Sequence, residues 1–589
     1  MRNDRTSRRA RRITTAAMIL TLAAAAGCGA PAPQHPPVDR VLLGGTVVTM
    51  DPQRPRATAI AVDDFRIAAV GSDEEIRAWV GEATEVIDLK GRLVIPGFIE
   101  GHGHFLGLGQ SRTILDLTTA KSWDDIVAMV GEAARTAQPG VWILGRGWHQ
   151  EKWDAQPAGS VDGVPPHDAL SAAAPANPVR LEHASGHSCI VNARAMELSG
   201  LTAASPDPPG GTIVKDARGR PTGLLRETAQ RLVGDSVVSS RETLSPEARD
   251  AELRRWVRLA GEEALAKGVT SFHDAGSSFQ DIDLFRAMAA EGALPVRLYV
   301  MVRRESNDAM EARLDAYRII PEGNDFLAVR AIKRQIDGAL GTHGAWLFAP
   351  YEDLPQSAGL NLEPIEEIER TARIAIAKGF QVNTHAIGDR ANREILDLYE
   401  RVFKENPGKS DLRWRVEHAQ HLHPDDIPRF ARLGVIASIQ GIHCTSDGPW
   451  VPKRIGETRA SSGAYMWRAL LDSGATVING TDVPVEDIDP IACYHATVTR
   501  MMKDGAAFHP EQAMTREEAL RSCTLDAARA AFEESLKGSL EPGKLADIVV
   551  LSRDIMTIPV AEIRSAQVDM TIVGGQVRFS RESRTASWR

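Results

Sequence analysis

Short runs of apolar and β-branched residues recur along the chain. Between them lie stretches in which apolar positions return every three or four residues. Strand-like runs occupy residues 93–99, 268–274, 295–300, 329–332, 381–384, 414–417, 434–440 and 476–481. Residues 366–378 and 424–433 carry the helical period that separates them. Eight strands alternating with helices predict an α/β chain folded as a (β/α)8 TIM barrel, whose active sites sit at the carboxyl ends of the strands.

Both ends of the chain depart from that rhythm. Residues 42–49 and 66–71 near the start, and 546–551 and 571–577 near the end, are short alternating runs separated by turn residues. They predict β-sandwich over 41–93 and 536–580, with the barrel over 94–535. The boundary near Ser535 is marked by Gly538, Pro542 and Gly543, which break the helical pattern. From Phe105 to about Ser245 the barrel rhythm is suspended for too long to be an ordinary connection. A large insertion after the first barrel strand, at about 106–245, is therefore expected.

The first residues predict targeting. Arg5, Arg8, Arg9, Arg11 and Arg12 precede an apolar stretch too short for an ordinary membrane span. Ala25–Ala26–Gly27–Cys28 resembles a bacterial lipobox, so residues 1–28 read as a lipoprotein signal peptide with lipid on Cys28. Plain secretion with cleavage near Ala30 is the alternative, and Ser7–Arg8–Arg9 leaves twin-arginine export open. Residues 29–40, rich in Ala and Pro, read as a tether. The expected location is the bacterial cell envelope, with the membrane reached through the N-terminal lipid.

Composition narrows the rest. The chain has 589 residues, 43% hydrophobic and 25% charged, enough for a large core and more than one domain. Its formal charge of −9, with no basic block beyond the N-terminus, argues against a nucleic-acid partner. Cys189, Cys444, Cys493 and Cys523 lack CxxC spacing, so neither a zinc ribbon nor a disulfide framework is indicated.

Candidate chemistry gathers at the strand ends. His102 and His104, directly after the first run, are two residues apart, so an extended chain presents both imidazoles to one side. One such pair also arises by chance. The pattern repeats, however: other runs lead into His385, His418 and Asp482, and a further one ends at Lys333. A lysine ammonium has only donors and ligates a metal only as a carbamate. His149, His183, His273, His343, His421, His423 and His443 are read as ordinary polar groups, with His343 and His443 the better candidates because they follow predicted strands. Asp274 and Glu417 are candidates for orienting imidazoles.

Residues 96–104, Pro-Gly-Phe-Ile-Glu-Gly-His-Gly-His, resemble the first-strand motif of the amidohydrolase superfamily of metal-dependent hydrolases. Residues 337–341, 385–391, 416–420 and 480–485 are similar to the branch that includes the N-substituted formamide deformylases. The resemblance spans about Val41 to Val577. It implies that the two sandwich segments join into one composite domain. It also implies that His102, His104 and Asp482 hold one divalent ion, that His385 and His418 hold a second, and that a carbamylated Lys333 bridges them. Zn²⁺ is the default metal, with a mononuclear site as the alternative. Asp482 is implied as the catalytic acid–base, and Trp148, His187 and Glu227 as substrate-binding residues; His343, which the resemblance does not reach, is added as a substrate-binding candidate from its place after a predicted strand. Two departures fall near the substrate: Thr342–His343 stands where Ser-Arg is expected, and Glu100 replaces the usual Asp. The expected activity is hydrolysis of a non-peptide carbon–nitrogen bond in a small amide or formamide. Alternatives are an ester, lactam or cyclic amide cleaved on the same core, or a solute-binding lipoprotein. The oligomeric state is left open.

Overall fold

The computed structural model describes residues 35–585. The expected signal peptide, Cys28 and most of the tether lie outside these residues. Among the described residues no helix is long and apolar enough to cross a membrane.

Eight parallel strands follow one another in chain order around a sheet. They are β1 (Phe98–Gly103), β2 (Val269–Ser277), β3 (Arg297–Val302), β4 (Leu327–Gln335), β5 (Gln381–Ala386), β6 (Arg415–His418), β7 (Ile436–Ile439) and β8 (Val477–Asn479). The sheet closes where the Asp482 amide, just beyond β8, donates to the His102 carbonyl of β1 at 2.8 Å. This is the (β/α)8 barrel that the eight runs predict.

Alternation along the strands explains both sides of this wall. Val300, Val302, Ile332, Val382, Val416 and Val477 face outward into the large apolar core beneath the helices. Tyr299 and Met301 of β3 meet Ala275 of β2 and Ala331 of β4 in a small cluster of their own inside the barrel. Helix Ile365–Lys378 turns Ile368, Ala372, Ala375 and Ile376 to the core and stops at Gly379, whose φ of 71° suits a residue without a Cβ. It coincides with the helical stretch read from the sequence.

The terminal segments combine in two facing sheets. One contains Arg40–Leu43, Ala59–Asp63, Arg66–Gly71 and Glu85–Asp88. In the other, Leu93–Pro96 lies between Thr46–Val48 and the C-terminal strand Ile548–Leu551, so both ends of the chain share one sheet. Leu42, Ile60 and Val62 from the first pack with Val47, Val94, Ile548 and Ile572 from the second. Two boundaries move. Val38, expected in the tether, is already buried, and its amide donates to the Trp79 carbonyl. The apolar run 93–99 is one run in sequence but two strands in space: Leu93–Pro96 belongs to the terminal sheet, and the barrel begins at Phe98. Gly97 makes the crossing, where a Cβ would stand 2.1 Å from Thr270 Oγ1.

After helix Phe105–Ser111 the chain leaves the barrel and forms a six-stranded sheet between Leu115 and Glu227. This inserted unit has its own core, in which Trp123, Trp148 and Trp153 pack with Leu181 and Ile190. It is fixed over the barrel mouth by Arg146, which donates to the Pro484 carbonyl at 3.2 Å, and by Glu151, whose carboxylate lies 3.1 Å from Arg454.

Arg297 joins the barrel to the terminal domain. It opens β3, is 2% exposed, and grips Asp547 through two bonds of 2.7 and 3.1 Å. Removing one partner of a buried pair strands the other charge and typically costs about 3–5 kcal/mol. Arg297→Met should lower the unfolding free energy by about that much, read from denaturant midpoints. Arg297→Met combined with Asp547→Leu should fall short of the sum of the two single losses. A loss for Arg297→Met below about 1 kcal/mol, the scale of an exposed pair, would show that the grip is not structural.

Candidate metal centre

The metal candidates meet because β1 and β8 approach unusually closely. Gly101 and Gly480 permit this: a Cβ on Gly101 would lie 2.4 Å from the Asn479 carbonyl oxygen, and one on Gly480 2.5 Å from the His102 amide. Glu100 then staples the two ends. Its carboxylate accepts the Thr481 amide at 2.7 Å, the Thr481 hydroxyl at 2.8 Å and the His102 amide at 3.2 Å. Asp482 is thereby set beside the His-x-His pair, with Oδ1 3.3 Å from His104 Nε2 and 3.6 Å from His102 Nε2. Asp482 and His418 both hold positive φ, 57° and 78°, a backbone region that non-glycine residues adopt infrequently.

The other candidates close the ring. Lys333 Nζ lies 3.2 Å from His102 Nε2, and the His418 ring centre is 4.8 Å from that of His102 and 4.4 Å from that of His385. His102, His418 and Asp482 each offer a ligand atom, all within 4.8 Å of one another. His102, His104, Lys333, His385, His418 and Asp482 thus face one mouth, and Lys333, 2% exposed, points inward to it.

Two groups behind the ring set its imidazoles. The Glu417 carboxylate bonds His102 Nδ1, and Gln440 Oε1 lies 2.7 Å from His418 Nδ1. Each leaves the opposite side of its ring toward the mouth, as carboxylates and amides behind metal-bound histidines do. Asp337 Oδ1 stands 3.4 Å from His385 Nε2 without a hydrogen bond to it. Burial pushes the His104 imidazole down to about 4, so it stays neutral. Burial alone would raise the Asp482 carboxyl, but His104, His102 and His418 reverse this and hold it ionised. Asp482 Oδ1 and His385 Nε2 are buried without a hydrogen-bond partner among the described residues. Neutral imidazoles, an ionised carboxylate and two orphaned acceptors make a donor set that fits a divalent cation.

A family model described as the amidohydrolase family matches residues 85–579. The chain belongs to the amidohydrolase family. It is a metal-dependent hydrolase of carbon–nitrogen bonds. It is similar to Protein LONG AFTER FAR-RED 3 of Arabidopsis thaliana, 34% identical over 551 residues, which cover 91% of each chain. It is 29% identical to the N-substituted formamide deformylase of Arthrobacter pascens over 92% of this chain and 98% of that one. Among solved structures, an uncharacterized metal-dependent hydrolase from Pyrococcus horikoshii superposes with a TM-score of 0.70 at 26% identity, covering 89% of this chain and 99% of the other. The closed barrel also replaces the solute-binding alternative, which requires two hinged lobes.

The remaining candidates of this amidohydrolase divide. His187 Nδ1 lies 2.7 Å from Glu227 Oε2, and the His187 ring centre is 5.4 Å from that of His385, so the inserted unit delivers this pair to the mouth. Gly338 and Gly344 make room for Glu227, since a Cβ on either would stand 2.2 Å from Oε1, and the departing Thr342 donates to the same oxygen at 3.2 Å. Trp148 requires correction: it is 1% exposed in the core of the inserted unit, and its indole donates to the Leu181 carbonyl at 2.9 Å. Its aromatic bulk serves packing. His343 sits in the loop after β4, 3.1 Å from Asp353 and edge-on to Tyr351. Asp274 is also corrected, because it accepts the Phe105 amide at 2.9 Å and the Ser277 hydroxyl at 2.6 Å and thereby fixes the chain just after His104.

Among the other histidines, His273 lies 3.1 Å from Arg415 inside the barrel, and the His443 ring is parallel to that of His418 at 6.4 Å. Three neighbours of the site were not anticipated: Asp337, Gln440 and Arg303. Asp337 receives the amides of Trp346, Ile387 and Gly388 at 2.8–3.0 Å, gathering two loops behind His385. Its sequence signal is its place at the head of residues 337–341, a segment that carries the family resemblance but assigns Asp337 no role.

Glu417→Gln should test the ring's support. Loss of an outer partner of a metal-bound histidine typically weakens metal binding roughly 10- to 100-fold. A competitive titration against a chromophoric chelator should show that loss while thermal unfolding of the metal-free protein stays near wild type. Unchanged affinity would mean that Glu417 does not position His102.

Proposed function

We propose that this amidohydrolase cleaves a small formamide-like amide, using zinc held by His102, His104, His385, His418, Asp482 and a carboxylated Lys333. The observation that carries the reading is the pair of orphaned buried atoms, Asp482 Oδ1 and His385 Nε2, facing a ring of neutral imidazoles. The similarity to N-substituted formamide deformylase over nearly that enzyme's whole length supports the bond type.

When bound, the metal supplies Lewis acidity, lowering the pKa of water from 15.7 toward about 7 and polarising the scissile carbonyl. The chain's own groups do the rest. Asp482, held ionised beside His104, His102 and His418, accepts the proton of the attacking water at the carboxylate oxygen left free of ligation and returns it to the leaving nitrogen. Glu417 and Gln440 keep the rings of His102 and His418 from rotating as charge shifts. The inserted unit walls the mouth and brings the His187–Glu227 pair against the substrate side. Glu100 is unsuited to replace Asp482 as base, because Thr481 and the His102 amide occupy its oxygens.

Lys333 bears on the metal count. Burial pushes its ammonium down to about 8, against the pull of Glu417 and Asp482. A cation at this ring would face that ammonium directly; once the ammonium has given its proton to solvent, the neutral amine can add carbon dioxide and release a second proton, leaving a carbamate anion with two oxygens that could ligate.

Three experiments test the reading. A chelator should abolish amide hydrolysis and Zn²⁺ should restore it, and Asp482→Asn should depress kcat roughly 10²- to 10⁴-fold with a smaller change in KM. Metal analysis of the same samples separates loss of the base from loss of metal. Near wild-type turnover in Asp482→Asn would move the base elsewhere. Lys333→Ala should lose metal and activity together, and added short-chain carboxylic acids should recover part of both. Full metal content in Lys333→Ala would leave the carboxylated lysine without a role.

A further inference from the structure

One strong donor at the mouth is used by none of these steps. Arg303 follows β3 directly, and the inward alternation that places Tyr299 and Met301 inside the barrel continues to it. On β4 the same alternation runs from Ala331 through Lys333 to Gln335. Arg303 and Gln335 therefore stand one layer above Met301 and Lys333. Their side chains meet there, Arg303 Nη2 donating to Gln335 Oε1 at 2.7 Å, and Gln335 pairs in register with His385.

The guanidinium is held in place from below. Its stem crosses Gly276 at the end of β2, where a Cβ would lie 2.3 Å from Arg303 Cδ, and the Arg303 amide donates to the Ser277 carbonyl at 2.9 Å. Yet among the described residues no carboxylate comes within ion-pair distance of it, and Gln335 is the one side chain that receives a hydrogen bond from it. Glu363, Asp482 and Asp274 act on it only at longer range. Burial, with Arg304 close by, pushes its pKa down to about 10, which marks a charge that the protein leaves under-compensated. The guanidinium fork matches a carboxylate in two parallel hydrogen bonds.

We propose that Arg303 anchors a carboxylate of the substrate, so that the preferred substrates are amides carrying an anionic group, such as N-formyl or N-acyl amino acids. This rests on the carbon–nitrogen hydrolase reading for the bond cleaved, but the anchor itself is a binding claim. Gln335 fixes one edge of the guanidinium, leaving the other donors for the ligand. His187 and Glu227, brought in by the inserted unit, and Arg303, at the β3 and β4 ends, then contact different parts of one molecule.

The test separates binding from turnover. Metal-loaded wild type, Arg303→Met and Arg303→Lys are titrated calorimetrically with levulinate, which offers a carbonyl and a carboxylate but no bond to cleave, and with a neutral branched ketone of the same shape. Wild type should prefer levulinate by roughly 10- to 100-fold, the scale of a charge-assisted hydrogen bond. Arg303→Met should lose that preference while binding the neutral ketone as before, and Arg303→Lys should recover part of it. In kinetics, kcat/KM for an N-formyl amino acid should fall by the same factor in Arg303→Met, and that for the matching N-formyl alkylamine should not. Preference for levulinate retained in Arg303→Met, or equal losses for both ketones, overturns the anchor. If neither amide is cleaved by any form of the enzyme, the hydrolytic reading fails, and the ketone titration still decides the role of Arg303.

Discussion

The closure of the barrel between its first and last strands is the constraint on which the site depends. The 2.8 Å bond from the Asp482 amide to the His102 carbonyl joins residues 380 positions apart, and without it the aspartate and the His-x-His pair would not share a cation. Two glycines make the approach sterically open, and Glu100 supplies the hydrogen bonds that hold it. Glu100 has one methylene more than the aspartate usual at this place. Here that reach takes its carboxylate to Thr481, on the far strand's end. Burial pushes it up to about 8, so its acceptor role depends on the three donors that surround it.

Around that seam the electrostatics divide into an inner and an outer layer. The inner imidazoles are kept neutral by burial, as metal ligation requires. Behind them, burial alone would protonate Glu417, but His102, Lys333 and Arg415 hold it ionised. A carboxylate in that position places negative charge behind His102 and strengthens its ring as a donor. The arrangement is costly without a cation, because Asp482 and Lys333 are buried charges and Asp482 Oδ1 lacks a hydrogen-bond partner among the described residues. A divalent ion relieves the first of these costs and aggravates the second. That opposition is the physical argument for chemical conversion of Lys333.

The sequence shows clearly what strand periodicity governs. All eight barrel strands appear as apolar runs, and the candidate ligands stand at their carboxyl ends because the barrel has one functional face. Periodicity could not place the boundary at Gly97, because residues 93–99 stay apolar while passing from one sheet to another. It could not assign Trp148 either, since a tryptophan in a glycine-rich strand suits a cleft wall and a core equally well. Asp337 was hidden for a different reason: its partners are backbone amides of two loops, and amides carry no side-chain signature. The β-bulge between β3 and β4 lies on β4, where one extra residue stands between Val329 and Ala331, and only the folded sheet reveals which β4 residues it sets opposite the end of β3.

The division of labour between barrel and insertion follows from where strain is stored. Glu227, the last residue of its strand in the inserted sheet, holds a φ of 50°, and its carboxylate fits only because Gly338 and Gly344 lack side chains. Those glycines belong to the loop after β4, two strands' width from the β1–β8 seam. The insertion is thus keyed to the loops of the mouth, at Gly338 and Gly344 through Glu227 and at Pro484 through Arg146. A barrel fold does not select a substrate. In this chain the choice falls to the surfaces that meet above the ring, the His187–Glu227 pair on one side and the ends of β3 and β4 on the other.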